Sequence, residues 1–423
     1  MKIVLNKSNA LLVAFVVLIQ VELFAVNKVS DLSPGTSNWI KKAQQILDLQ
    51  IPTDNFYGPG AALLLSPFVL VGLPTYVANY FYFALGAVAY WRICQAIPSR
   101  IGRSIALFAL PANIYLIWLI DSSQDTVFEF FLLTWSVYFL SRKRFGLFAI
   151  SGFMLCETRA GYWVFYLGVS ALLFLRAMKS NPKRAARKLF AIYFLVASSI
   201  FNFVNYGSPS PALEGGLTAY FGYTKYHYLS LPKMDMDVFL SGPNGAFSAA
   251  NGPDIPSGST PAETNSIYQK AAIESAFNNK RETVLGWMQK FDSYFFDVQK
   301  IPHLPGEYVL DQEKKVISIG EERLNWNLVA GNLTYLIYRS ALVVAGLVSA
   351  GLLIGLAFFQ RSNLLSRLRL LPLALPFLFG AIPGILIYTE TRFKIVSELL
   401  LVPLIIEIWS RARRVKNQRE IIT

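Results

Sequence analysis

The residues in this sequence best equipped for chemistry are acids and bases close to the ends of apolar runs, and five places carry them. Asp31 follows the first apolar run, and Asp54 stands in the segment DNFYGPG. Asp121 and Asp125 lie in IDSSQDTVFEFF. Glu157 and Arg159 lie in LCETRAGYW. Glu390, Arg392 and Lys394 lie in YTETRFKIVSELLLVP, where the Glu-x-Arg pattern repeats. A carboxylate at the mouth of a bundle can take a proton from an incoming hydroxyl, so Asp31 is a candidate general base with Asp54 in reserve. Guanidinium groups grip phosphate in a fork geometry, so Arg159, Arg392 and Lys394 are candidates to converge on a phosphate. Each group also has a plainer reading. Asp31 and Asp54 could be solvated loop acids or helix caps, and Asp125 could cap the helix that follows it. Glu157 and Arg159 could pair with each other.

Other chemistries find little support. There is no glycine-rich phosphate cradle and no His/Cys cluster with metal-ligand spacing, so no metal and no cofactor is expected. The two histidines, His227 and His303, are far apart in sequence. A lone loop histidine is more often a surface residue than a ligand. Cys94 and Cys156 make no disulfide framework and are expected toward opposite membrane faces.

The elements that must position these residues read as membrane helices. The chain of 423 residues is 54% hydrophobic, 14% aromatic and only 15% charged, which excludes an ordinary soluble domain and a disordered chain. Its net charge of +13 is gathered in short clusters between apolar runs. Such clusters read as topology signals and lipid-headgroup contacts, and nucleic acid is not an expected partner.

A membrane span needs about 20 apolar residues. Candidate runs lie near 9–26, 76–94, 103–120, 126–141, 146–160, 161–176, 189–205, 331–358, 370–388 and 393–410; the fourth, fifth and sixth are short. The first reads as an uncleaved span rather than a secretory signal. The stretch 59–73 is apolar too, but it holds Pro59 and Pro67. Leaving it out of the span count puts every basic cluster on one side, so it reads as a helix in or dipping into the outer interface.

Both termini are then expected inside the cell. Residues 1–205 form an N-terminal membrane module whose first outer loop, 27–75, carries an amphipathic helix with Trp39, Ala43, Ile46 and Leu47. Residues 206–330 form a large outer segment, irregular at first. It turns helical from Glu263 to Phe296, where Ile267, Ala271, Ile273, Phe277, Leu285, Met288 and Phe291 recur at helical spacing. Residues 331–423 form the C-terminal membrane helices and a basic cytoplasmic tail.

In this order the landmarks resemble the GT-C class of integral-membrane glycosyltransferases, in the style of the bacterial protein mannosyltransferase and aminoarabinose transferase families. The resemblance rests on Asp31 in the first outer loop and on FYGPGAALLLSPFVLVG opening a juxtamembrane helix, with Tyr57 in a supporting place. It rests also on the acids Asp121 and Asp125 before the fourth span, Thr158-Arg159 at the end of the fifth, and ETRF before a Leu/Pro-rich last span. The segments EGGLTAYFGY and YQKAAIESAFNNKRETVLGWMQKF add to it. Two departures stand out: Gly35 occupies the spacing usual for the acid relative to Trp39, and the juxtamembrane motif lacks a doubled proline and any lysine.

The resemblance implies an all-α polytopic protein, a bundle of about ten transmembrane helices with a large outer loop after the seventh span. It implies an enzyme of a bacterial inner membrane that moves a sugar from a polyprenyl-phosphate donor to a glycan, lipid or protein acceptor on the outer face, with inversion. Asp31 or Asp54 would be the base and Arg159, Arg392 and Lys394 the donor-phosphate ligands, with Glu157 and Glu390 supporting them. The alternatives are a surface-polysaccharide polymerase or ligase, which uses a diphosphate-linked carrier, and a transporter of lipid-linked glycan. No internal repeat of the transporter kind is visible.

Overall fold

The computed structural model describes residues 7–26, 34–52, 58–113, 116–117, 124–178, 185, 188–210, 215–223, 253–296, 308–311, 316–319, 336–352, 369–387 and 394–420. The fold is helical. In chain order residues 1–205 contribute α1 (Lys7–Val26), α2 (Pro34–Leu47), α3 (Gly60–Leu70), α4 (Thr75–Cys94) and α5 (Arg100–Phe108). The chain continues with α6 (Gln124–Ser141), α7 (Phe145–Thr158), a 3-10 turn Ala160–Tyr162 running into α8 (Trp163–Met178), and α9 (Phe190–Tyr206). The segment expected outside contributes α10 (Gly215–Tyr223), α11 (Pro261–Asn278) and α12 (Lys280–Phe295). The C-terminal part contributes α13 (Leu336–Leu352), α14 (Leu375–Leu386) and α15 (Ile395–Glu420).

A helix therefore stands at each expected apolar run, with corrections. The run 103–120 is not one helix: α5 stops at Phe108, three residues before Pro111, which has no N–H to continue the ladder. The run expected to be short at 161–176 is the long one. Ala160–Met178, with a mean hydropathy of 1.4, is the single stretch among the described residues that is straight, long and apolar enough to cross a membrane. The other apolar helices, such as Thr126–Ser141 and Phe190–Tyr206, are shorter. Helix length alone thus gives one span, or two if α3 and α4 count together. Those two are bent by 118° at the break between them, so the stretch 59–73 forms a helix of its own. The described β structure is one antiparallel hairpin, β1 (Tyr308–Asp311) with β2 (Val316–Ile319), in which Tyr308 faces Ile319; the sequence reading placed no strand there.

The core is built around α4, α6 and α7. Buried tyrosines tie it together, because a phenol taken out of water still needs a partner. Tyr82 donates to the Leu64 carbonyl at 2.8 Å, joining α4 to α3. Tyr90 donates to the Ala106 carbonyl at 2.8 Å, joining α4 to α5. Tyr166 donates to the Ala149 carbonyl at 2.6 Å, joining α8 to α7. Trp135 on α6 donates to the Leu85 carbonyl at 3.0 Å. The amphipathic helix of the first loop is α2, and its Trp39 and Ala43 are buried.

Apolar side chains also cover much of the outside. Helix α1 buries Phe15, Ile19 and Leu23 and exposes Leu11, Val17, Leu18, Val21 and Phe24. Helix α9 exposes Tyr193, Val196, Ile200, Phe203 and Val204, and α13 exposes Ile337, Val344 and Leu347. A helix apolar on its outer face needs a non-aqueous neighbour.

The expected helical stretch Glu263–Phe296 is two helices, broken at Asn279. The sequence TPAE starts the first: Thr260 and Glu263 form a reciprocal capping box with Pro261 in the first turn. The periodic apolar residues Ile273, Phe277, Leu285, Met288 and Phe291 are exposed rather than core.

Candidate functional site

The chain segment Gly58-Pro59-Gly60 lies directly on the end of α7. A Cβ added at Gly58 would overlap the Glu157 carbonyl, and one at Gly60 would come within 2.7 Å of the Glu157 carbonyl carbon and of Thr158. Both glycines are needed because two backbones meet there. The start of α3 and the Glu157-Thr158-Arg159 segment, about 100 residues apart in sequence, thus share one place in the fold.

The charges at that place are buried and organised. Glu157 accepts a hydrogen bond from the Ser198 hydroxyl at 2.8 Å, which ties α7 to α9. Arg159 ends α7 in an extended conformation and is 8% exposed. Its Nη1 lies 2.8 Å from Oε2 of Glu129 on α6, and its Nη2 lies 3.4 Å from the Thr126 hydroxyl. The Tyr162 phenol donates to the other oxygen of Glu129 at 2.5 Å. The pairing of Glu157 with Arg159 is therefore not the arrangement found; each has a different partner. Glu129 is fully buried, and without Arg159 and Tyr162 its charge would be costly there.

A second cluster sits where α12 meets the C-terminal helices. Lys394 Nζ lies 2.8 Å from the Ser293 carbonyl and 3.0 Å from the Tyr294 carbonyl. Arg339 on α13 donates to the Tyr294 carbonyl at 2.8 Å and pairs with Glu398 on α15 at 2.5 Å. The last carbonyls of a helix have no partner within it and carry its negative end, so two cations suit them. The Tyr294 hydroxyl donates to the Phe377 carbonyl at 2.8 Å. Burial, and then Glu398, push this phenol above the usual tyrosine range, and Arg339 opposes them. Tyr294 also feels Glu129, and Tyr162 feels Tyr294, so the two clusters adjoin.

One turn earlier on α12, Lys290 donates to the carbonyls of Gly222 at 2.7 Å and Ile387 at 2.8 Å. Its amine is fully buried, and burial pushes it down to about 7. A lysine desolvated against two neutral acceptors behaves this way.

Of the expected site residues, Asp31, Asp54, Tyr57, Asp121, Glu390 and Arg392 lie outside the described residues, as does the side chain of Asp125 in the first turn of α6. Arg159, Glu157 and Lys394 are described and buried. Lys394 is bonded to the α12 carbonyls. The sequence reading missed Glu129, Lys290, Arg339 and Glu398. Glu129, Arg339 and Glu398 each stand alone inside an apolar run, a signal that a partner must exist. Lys290 gave no such signal, because the helix around it is polar. Among the described residues no group of His, Cys, Asp and Glu could hold a metal ion. Cys94 and Cys156 are buried and unpaired with each other.

No protein-family model, no curated protein and no solved structure matches this chain.

Proposed function

We propose that this chain is an integral-membrane glycosyltransferase that moves a sugar from a polyprenyl-phosphate donor to an acceptor hydroxyl at the outer face of a membrane. The observation that carries the reading is the packing of Gly58 and Gly60 on the Glu157-Thr158 peptide. It sets Gly58 and Gly60 against the peptide that precedes Arg159, which supports a site drawing its base from the segment before Gly58 and a phosphate ligand from Arg159. The outward apolar faces of α1, α9 and α13 support membrane embedding of a bundle of about ten spans, whose shorter helices would be completed by the residues flanking them.

In this reading the acceptor oxygen attacks the anomeric carbon in a single inverting displacement. Its proton passes to Asp31 or Asp54, and the bond from the anomeric carbon to the phosphate oxygen breaks. The departing polyprenyl phosphate takes the electron pair and is stabilised by Arg159 and Arg392. Glu129 and Tyr162 orient the Arg159 guanidinium from inside the bundle. Lys394 holds the chain beside Arg392 through the α12 carbonyls.

Mass spectrometry of surface glycans or glycolipids with and without the gene tests this. Loss of one sugar on deletion, restored by the wild-type chain and not by an Asp31→Asn/Asp54→Asn variant, is the expected result. Identical glycans in both strains contradict it.

A further inference from the structure

We infer that the pocket between α10, α11 and α12 binds one anionic phospholipid by its acyl chain. The pocket has a volume of about 510 Å³, within the range of ordinary ligand sites. Small residues leave the space: Ala219 on α10, and Ala272 and Ala276 on α11. Tyr223, Phe277 and Trp287 form its walls. Few polar groups reach it, so it offers little to a sugar or a peptide and much to a hydrocarbon chain.

Two observations choose the occupant. The first is continuity. Phe277 is 70% exposed, and Ile273 and Val284, which also line the pocket, are exposed as well. The Trp287 indole donates to the Leu386 carbonyl at 3.2 Å, where α14 ends. The outward face of α14 carries Leu378, Ile382 and Leu386, so the apolar surface runs from that helix to the pocket. Tryptophan with one apolar side and one hydrogen-bonded end is the residue of a membrane interface.

The second is charge. Lys280 lines the pocket and is exposed, and Arg281 beside it is exposed too. Lys270 is engaged by Glu274 at 4.0 Å, and neither Glu274 nor Glu282 lines the pocket. A cation at the mouth of an apolar pocket suits a lipid with a single negative headgroup. The inference shares with the glycosyltransferase reading only the placement in a membrane.

The test uses the full chain in detergent, titrated with phosphatidylglycerol carrying brominated acyl chains. Tryptophan emission should fall with a saturable component that disappears in Trp287→Phe. Filling the pocket from either wall, by Ala276→Phe or Ala219→Leu, should weaken that component at least about tenfold while circular dichroism stays that of the wild type. Phosphatidylcholine with the same chains should bind more weakly, and Lys280→Gln should remove the difference. Quenching that rises without saturation, or that survives both filled-pocket variants, overturns the site. Equal affinity of the wild type for the two lipids overturns the anionic occupant.

Discussion

The amine of Lys290 lies 2.8 Å from the carbonyl oxygen of Ile387, so a side chain of α12 holds the chain one residue past α14. Lys394 holds the other side of the same stretch by reaching back to Ser293 and Tyr294 on α12. The residues that flank 388–393, Ile387 and Lys394, are thus both bonded to one helix. Gly222 completes the arrangement, because a Cβ there would overlap the Ile387 carbonyl.

A pH dependence follows. Docking takes the Lys290 amine from 10.5 to about 7. Between those values the undocked amine holds a proton that the docked one does not. Raising the pH through this window strips the undocked state and strengthens docking; below about 7 both forms are protonated and the dependence ends. The melting midpoint of the full chain should therefore rise with pH across this window by more than that of Lys290→Met. Parallel profiles for the two proteins would contradict the assignment.

The Glu129–Arg159 pair should behave as a buried ion pair. Removing one partner leaves the other charged in the core, so Glu129→Leu should cost about 3–5 kcal/mol in denaturant unfolding. The double variant Glu129→Leu/Arg159→Leu should recover most of that loss. Additive losses in the double-mutant cycle would show that the two residues act separately.

The two glycines at the start of α3 should tolerate no side chain. Gly58→Ala and Gly60→Ala set a methyl against the backbone of Glu157 and Thr158, which cannot rotate away, and should cost about 1–3 kcal/mol each. Gly161→Ala, where a Cβ meets open space, is the control and should stay near wild type in thermal unfolding.

Helix positions were legible in the sequence because apolar runs and their breakers act locally. The stretch 59–73 was separable from the following helix by its prolines and by charge parity, and α3 bends away from α4 accordingly. The end of α5 was misjudged because Pro111 lies in an otherwise apolar run. The break at Asn279 was missed because the spacing from Ile273 to Met288 continues in phase across it. The site was harder to read. The Glu-Thr-Arg segment stood out, yet its partners Glu129 and Ser198 come from other helices, and no local pattern names a partner chosen by packing. Lys290 gives no signal in the sequence, because its neighbours are polar; only the docking of α12 buries it.

The side assignment of every acid rests on the basic clusters. Cysteines introduced at Gly146, Lys183 and Leu364 should resist an impermeant thiol reagent in intact cells, and those at Ala250 and Leu310 should react. The native Cys94 and Cys156 are buried and should stay silent. Labelling of the Lys183 position from outside would reverse the assignment.

The most direct measurement is release of polyprenyl phosphate by the purified chain from polyprenyl-phosphate sugars in the presence of an acceptor extract. The wild type should release it with matching transfer of sugar. Loss of the base, by Asp31→Asn or by Asp54→Asn, should slow release by about 10²–10⁴, and Arg159→Lys, which loses the fork, should also slow it. Equal release by the wild type and by a chain carrying both Asp31→Asn and Asp54→Asn, or none by the wild type from any such donor, would contradict the glycosyltransferase reading.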